Sequence, residues 1–287
     1  MDIASSRPLV KNVFPVRTLL SQGSIHILLL FLAIIAVLPL FWSIFASFKS
    51  YKELVTSRDF FPHVWTLGNY DEIINKNGFG IALINSIIVS SVVTLSTIAT
   101  SSAVGYVFAR YNFPGRDKLF MVLLSTMMLP FAVVLVPLYV MIVGLGLTNE
   151  LGGVIVVALW STFGMFMMRQ FMQSIPSELL DAARIDGAGE LRIFAGIVLP
   201  LSTAPMAALS VFTFLGSWDN FLWPLIVLSS QEKQTLPILL NGLKSLYWTR
   251  YEMWTAGSMM TVIPVMILYI FASKYFIRGV AMTGMKA

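Results

Sequence analysis

Residues 177–200 read SELLDAARIDGAGELRIFAGIVLP. Glu178, Asp181, Arg184, Asp186, Glu190 and Arg192 crowd into this stretch, between apolar blocks that carry almost no charge, so it lies in water and not in lipid. Pro176 suits the first turn of a helix, where its missing N–H is not needed. Leu179, Ala182 and Ala183 fall on one helical face, and Asp181 and Arg184 form an i, i+3 pair. Gly187 stands where a helix ends with positive φ. A second helical piece, Glu190 to Val198, then runs up to Pro200. The stretch is predicted as helix, sharp turn, helix: a solvated hairpin on one side of a membrane, shaped for docking. The plain alternative is a charged loop between two spans.

The rest of the chain supplies the membrane. It has 287 residues, of which 57% are hydrophobic and 11% charged, with mean hydropathy +0.82. That composition fits one membrane bundle and excludes a soluble domain. Two histidines and no cysteine leave no material for a zinc site, a thiol nucleophile or a disulfide framework. There is no G-x-x-x-x-G-K-[ST], so this chain does not cradle nucleotide phosphates in a P-loop. With no credible Ser/His/Asp set either, it is not expected to be an enzyme.

In chain order, 1–24 is a polar tail and 25–48 the first apolar block. A span needs about 20 residues, and the apolar core of a signal peptide is usually about 7–15, so this block reads as a retained helix. Residues 49–80 are mixed, with a short surface helix expected over Tyr70–Lys76. Further apolar blocks follow at 81–109, 119–143, 151–168, 201–229 and 255–273, with Pro130 and Pro137 expected to kink the third block. The prediction is an all-α integral membrane protein of six helices, each satisfying its own backbone hydrogen bonds as lipid demands. With the N-terminus inside, 12 lysines and arginines fall on inside segments and 7 outside, which favours both termini in the cytoplasm. The net charge of +5 is thus a topology signal, and nucleic acid has no place in the reading.

Asp181-Ala182-Ala183, three residues, Gly187, nine residues, then Ile197-Val198-Leu199-Pro200 resembles the EAA-x3-G-x9-I-x-LP cytoplasmic loop of ABC importer permeases. The run Ala183 to Ala188 is similar to the carbohydrate-uptake, MalG-like branch, as are Asn85-Ser86, GYVFARYNFPGR at 105–116 and SWDNFLWPLIVL at 217–228. Aspartate stands at 181 where the family usually has glutamate, which keeps the charge and shortens the reach by one methylene. The resemblance implies a type-1 ABC importer transmembrane domain over 81–276, with a coupling loop at 174–200. The first helix and its extracytoplasmic loop (25–80) precede it, and cytoplasmic tails occupy 1–24 and 277–287.

It further implies a bacterial or archaeal inner-membrane protein that moves a sugar or oligosaccharide. The implied partners are a second, MalF-like permease, two ATP-binding subunits that hold ATP and magnesium, and an extracytoplasmic solute-binding protein. Glu178, Asp181, Ala182, Ala183, Arg184, Asp186, Gly187, Ile197, Leu199 and Pro200 would then couple the ATPases to transport. Arg278, Gly279 and Gly284, in a tail from Phe276 with no apolar face long enough to pack as a helix, resemble a segment that contacts the ATPases. The alternative for that tail is a frayed terminus.

The substrate path is expected along the helix at 201–229, which carries Ser210, Thr213, Gly216, Ser217, Trp218, Asp219 and Asn220. Asp219 is the one carboxylate inside the apolar blocks, and such a residue faces a cavity or a partner. Trp218 and Trp223 would stack on a sugar ring while Asp219 and Asn220 bond its hydroxyls. Interfacial anchoring or gating is the open alternative. The family usually shows asparagine directly after this tryptophan, and here the order is Asp219-Asn220. Asn85, which also suits a bond across helices, and Tyr139, facing lipid or the cavity, complete the candidates. Rival readings are an ATP-independent channel or carrier, a membrane scaffold or sensor, or an importer of a polyol or glycerophosphodiester.

Overall fold

The computed structural model describes the backbone of residues 16–244 and 249–283, with side chains over 23–244, 249–271 and at Ser273. Among the described residues every regular element is a helix, and one isolated bridge joins Lys244 to Thr249. Helix α1 (Val16–Ala46) carries the first apolar block, and no residue of its most apolar window is buried inside the chain. Two short helices follow, α2 (Tyr51–Thr56) and α3 (Gly68–Lys76). The second contains the surface helix expected over Tyr70–Lys76, anchored by the fully buried Ile73.

Helix α4 (Phe79–Arg110) is a 32-residue rod without proline, and α8 and α12 pack along it. Next come α5 (Arg116–Ser125) and α6 (Phe131–Gly144), then α7 (Leu151–Ile155) and α8 (Thr162–Gln173). The charged hairpin is α9 (Ser177–Ile185) and α10 (Glu190–Ile193), continued by a π turn over Phe194–Val198 and by α11 (Leu199–Leu201). The chain closes with α12 (Thr203–Trp218), α13 (Leu222–Val227), α14 (Leu236–Gly242) and α15 (Tyr251–Thr283).

Among the described residues four helical stretches are long and apolar enough to cross a membrane: Gly23–Ala46, Phe79–Arg110, Leu151–Gln173 (α7 and α8 together) and Tyr251–Phe271. The other two expected spans are bent pairs. Arg116–Met128 and Phe131–Gly144 meet at 101°, and Glu190–Leu201 meets Thr203–Trp218 at 75°. The first break falls at Pro130, where Leu129 is extended, the conformation favoured before proline. Pro137 sits inside α6 without interrupting it.

Two further expectations are corrected. The helix drawn over 201–229 stops at Trp218, so Asp219 and Asn220 lie in an irregular turn before α13 and not within a span. Ser217, Asp219 and Asn220, broken only by the buried Trp218, offer no apolar face for another helical turn. The tail expected to be non-helical from Phe276 continues α15 through Arg278 and Gly279 to Thr283. No proline interrupts 265–283, and a single glycine costs a helix only about 1 kcal/mol.

The core sits along α4. Its stripe of Ser86, Ser90, Thr94, Thr97, Ser101 and Gly105 is buried, and small residues of this kind let membrane helices approach closely. At Gly164 of α8 a Cβ would stand 2.4 Å from the Ser101 Oγ. At one end of the rod Phe79, Ala82, Phe214, Trp218 and Leu236 pack together. Val89, Val93, Ile142, Val154 and Trp223 fill the middle. At the hairpin end Tyr106, Met168, Met172, Leu180, Ile193 and Leu209 close the core.

Candidate functional site

Two places on this frame are candidates for the functional site. The first is the hairpin. Pro176 caps α9 from one residue outside it, with ψ 132, so helical geometry begins at Ser177. Gly187 has φ +80 and its N–H reaches the Arg184 carbonyl at 3.0 Å, while the Ala188 N–H reaches that of Ala183 at 2.9 Å. Those bonds close a left-handed C-terminal cap that glycine adopts without steric cost. Arg184 sits at the centre, donating Nη1–H to Asp181 Oδ1 at 2.7 Å and Nε–H to Glu190 Oε1 at 2.8 Å. Glu190 and then Asp181 hold the Arg184 guanidinium further above its ordinary pKa.

Glu190 also receives hydrogen bonds from the main bundle. Tyr111 donates its O–H to Glu190 Oε2 at 2.7 Å, and Tyr106 does so at 3.3 Å. Burial first, and the Glu190 carboxylate next, push the Tyr111 phenol up. Beneath the hairpin Leu180 is fully buried, and Ala183 and Ile197 pack against the same cluster. The outer side is bare: Leu179 is 48% exposed, Ile185 87% and Leu191 85%, beside exposed Glu178, Ala182 and Asp186. Leu199 and Pro200 lie in α11, short of the 75° bend.

The second place is an open pocket of about 330 Å³ against α4, α8 and α12. Five aromatic side chains line it, Phe131, Trp160, Phe163, Phe212 and Trp223, together with the neutral polar Thr97, Ser161, Thr213, Ser217 and Asn220. No Asp, Glu, Lys, Arg or His is among its lining residues. Helix α12 contributes Phe212, Thr213, Gly216 and Ser217, which recur at helical spacing on one face. Trp160 and Ser161 come from the break between α7 and α8. That break frees two carbonyls, and α4 satisfies them: Thr97 Oγ1 donates to Ala158 O at 3.3 Å and Thr100 Oγ1 to Leu159 O at 3.2 Å. Hydroxyl side chains on a neighbouring helix are how a broken membrane helix keeps its polar backbone paired. Trp223 is held by its Nε1–H on the Gly153 carbonyl at 3.2 Å.

Residues 101–281 match the family described as binding-protein-dependent transport system inner membrane component. The chain belongs to this family. The arabinooligosaccharides transport system permease protein AraQ of Halalkalibacterium halodurans is 40% identical over 264 residues, 89% of this chain and 93% of that one. The diacetylchitobiose uptake system permease protein NgcG of Streptomyces coelicolor is 33% identical, over 85% of this chain and 82% of that one. The fold is also that of a crystallised bacterial ABC transporter involved in the import of the acidic polysaccharide alginate. The match has TM-score 0.79 at 20% identity and covers 94% of this chain and 100% of the other.

Within this inner-membrane component the residues expected on the substrate path separate. Asn220 and Trp223 line the pocket. Trp218 points the other way, 3% exposed and stacked on Phe214 with ring centroids 5.4 Å apart. Asp219 is exposed and lines, with Trp218, Leu236, Pro237, Leu240 and Thr261, a different cavity of about 170 Å³. Asn85 spends both amide hydrogens on the carbonyls of Glu232 and Gln234, each at 2.9 Å, and so ties α4 to the segment before α14. Tyr139 packs against the middle core cluster.

On α15, Arg278 and Gly279 are placed by backbone alone, and Gly284 lies outside the described residues. Sequence reasoning missed Trp160, Phe163 and Phe212, which it did not single out. It also missed the part Glu190 plays, whose only signal was a carboxylate six residues after Arg184.

Proposed function

We propose that this chain is the permease through which an ATP-driven, binding-protein-dependent importer moves a neutral sugar or oligosaccharide into the cytoplasm. The observation that carries the reading is the pocket of about 330 Å³, where aromatic faces alternate with hydroxyl and amide groups and no charge intrudes. A sugar ring offers an apolar C–H face to such rings and hydroxyls to such neutral groups. The names of the two relatives, one for arabinooligosaccharides and one for diacetylchitobiose, support the same substrate class.

In this reading two separate ATPase subunits hold ATP and magnesium. A second, MalF-like permease completes the path, and an extracytoplasmic binding protein delivers the solute. The bare apolar side of the hairpin, Leu179, Ile185 and Leu191, with Ala182 and the carboxylates of Glu178 and Asp186, would seat in an ATPase. Closure of the ATPases would then move the hairpin and switch the pocket between the two sides. The excess of lysine and arginine on the hairpin side supports cytoplasmic termini. Arg278, Gly279 and Gly284 would reach the ATPases from the same side.

The test is purification of the chain from its native membrane in mild detergent, with mass spectrometry of what accompanies it. Reconstitution with radiolabelled neutral oligosaccharides follows. Co-recovery of an ATPase and a second permease, with ATP-dependent uptake, is expected. Recovery of the chain alone, transporting without ATP, would establish a channel or carrier instead.

A further inference from the structure

We infer that Glu190 is a positioning residue that carries hairpin motion directly into α4, the helix that forms one wall of the pocket. This rests on the importer reading above. The hairpin has two routes to the membrane helices. The covalent one leads through α10 into the π turn over Phe194–Val198, α11 and the 75° bend before α12. A π turn and a bend are compliant places in a helix, where i→i−4 bonding is interrupted. That route dissipates a push.

The second route is non-covalent and short. Glu190 holds Arg184 on the hairpin at 2.8 Å and, through its other oxygen, the Tyr111 hydroxyl at 2.7 Å and that of Tyr106 at 3.3 Å. Tyr106 is 4% exposed inside α4, and its ring meets Phe194 with centroids 5.2 Å apart and Tyr111 edge-on at 5.7 Å. Both phenols are therefore fixed by packing, so the carboxylate cannot shift without moving them or breaking its bonds. Thr97, on the pocket wall, lies nine residues before Tyr106 in the same helix, about 14 Å along a straight rod. No proline lies between them. A displacement at Glu190 thus reaches the pocket through one rigid element. The expected couplings at 177–200 included Asp181 and Arg184; in this geometry Arg184 acts by aiming Glu190 at α4.

The test uses the complete transporter in proteoliposomes and measures substrate taken up per ATP hydrolysed. Tyr106→Phe/Tyr111→Phe removes both phenolic donors and keeps the rings. Its ATP hydrolysis is expected to persist while uptake per ATP falls at least about fivefold, the lower range of a coupling free energy between sites. The chain has no cysteine, so in Glu190→Cys/Tyr111→Cys the two introduced thiols are the only ones within this chain for a short bifunctional thiol reagent to bridge. Bridging is expected to raise uptake per ATP above that of the unreacted pair, which a purely structural role would not do. Unchanged uptake per ATP in the double phenylalanine variant would overturn the inference, as would loss of ATPase and uptake in equal proportion. Failure of the unaltered transporter to couple ATP to uptake would instead remove the importer reading itself.

Discussion

Gly105 of α4 lies so close to Met168 of α8 that a Cβ built on it would stand 2.8 Å from the Met168 Cβ and 3.0 Å from the Arg169 backbone nitrogen. Backbone cannot rotate aside as a side chain can, so this crossing sets how near the two helices come. Gly105→Val is expected to destabilise the protein by about 1–3 kcal/mol, the usual cost of overpacking. Gly80, on the same helix, has nothing within 4 Å of the place its Cβ would occupy, so Gly80→Ala is expected to be neutral or mildly stabilising. Thermal unfolding of the two variants in detergent compares them directly, and equal midpoints would refute the close-approach argument.

The turn of the hairpin gives a second prediction. Gly187→Pro removes the N–H bound to the Arg184 carbonyl and forces φ to about −65°, far from the observed +80. Asp181→Lys replaces one anionic partner of Arg184 with a like charge. Both variants are expected to insert in the membrane normally and to uncouple ATP hydrolysis from uptake, because the change lies wholly in the solvated hairpin. Uptake at the unaltered rate in either variant would sink the prediction.

How much of this was legible in the sequence depends on whether a signal was local. The hairpin was, because Asp181 and Arg184, Gly187 and the polar run between apolar blocks express their chemistry within one or two helical turns. The breaks in the spans were less so. Pro130 marks one, but the end of α12 at Trp218 is set by three polar residues that read equally well as the lining of a continuing helix. The pocket was only half visible. Asn220 and Trp223 were found, whereas Trp160 and Phe212 required knowing how α7, α8 and α12 rotate about α4, a property of their mutual packing. Trp218 and Asn85 were drawn toward substrate by residue type, yet an indole stacked on Phe214 and an amide with both hydrogens committed serve the frame.

Asn85 therefore supplies a discriminating mutation. Asn85→Ala leaves the carbonyls of Glu232 and Gln234 without their donor, at a cost of about 1–3 kcal/mol where such groups stay buried. The expected outcome is a lower unfolding midpoint with an unchanged KM for uptake. A substrate contact would show the reverse, a raised KM at unaltered stability.

The pocket wall makes the complementary case. Trp160→Ala and Phe212→Ala remove aromatic faces without touching a buried polar partner of the frame. Each is expected to weaken uptake of a neutral oligosaccharide by about tenfold, equivalent to about 1.4 kcal/mol, while the protein purifies as well as the unaltered chain. Uptake kinetics in proteoliposomes decide this, and an unchanged kcat/KM for both variants would remove the pocket from the substrate path.

The last prediction concerns pH at the end of the bundle away from the hairpin. Arg250 binds Glu72 on α3 at 3.0 Å, joining that short helix to the start of α15, and holds the Glu72 carboxyl below the usual carboxylate range. A lowered pKa in the folded state means that the folded form resists protonation more than the unfolded one. The stability from this pair is therefore fully present above the unfolded value, about 4.3 for glutamate, and is lost as pH falls through the lower folded value. Both partners are about one-third exposed, so solvent screens the pair and the effect is modest. Unfolding midpoints of the purified protein should fall as pH drops below about 4.3, and Glu72→Gln should flatten that decline. An identical pH profile for the variant would show that Glu72 contributes nothing to acid sensitivity, and that α3 is held to α15 by Ile73 and its apolar neighbours alone.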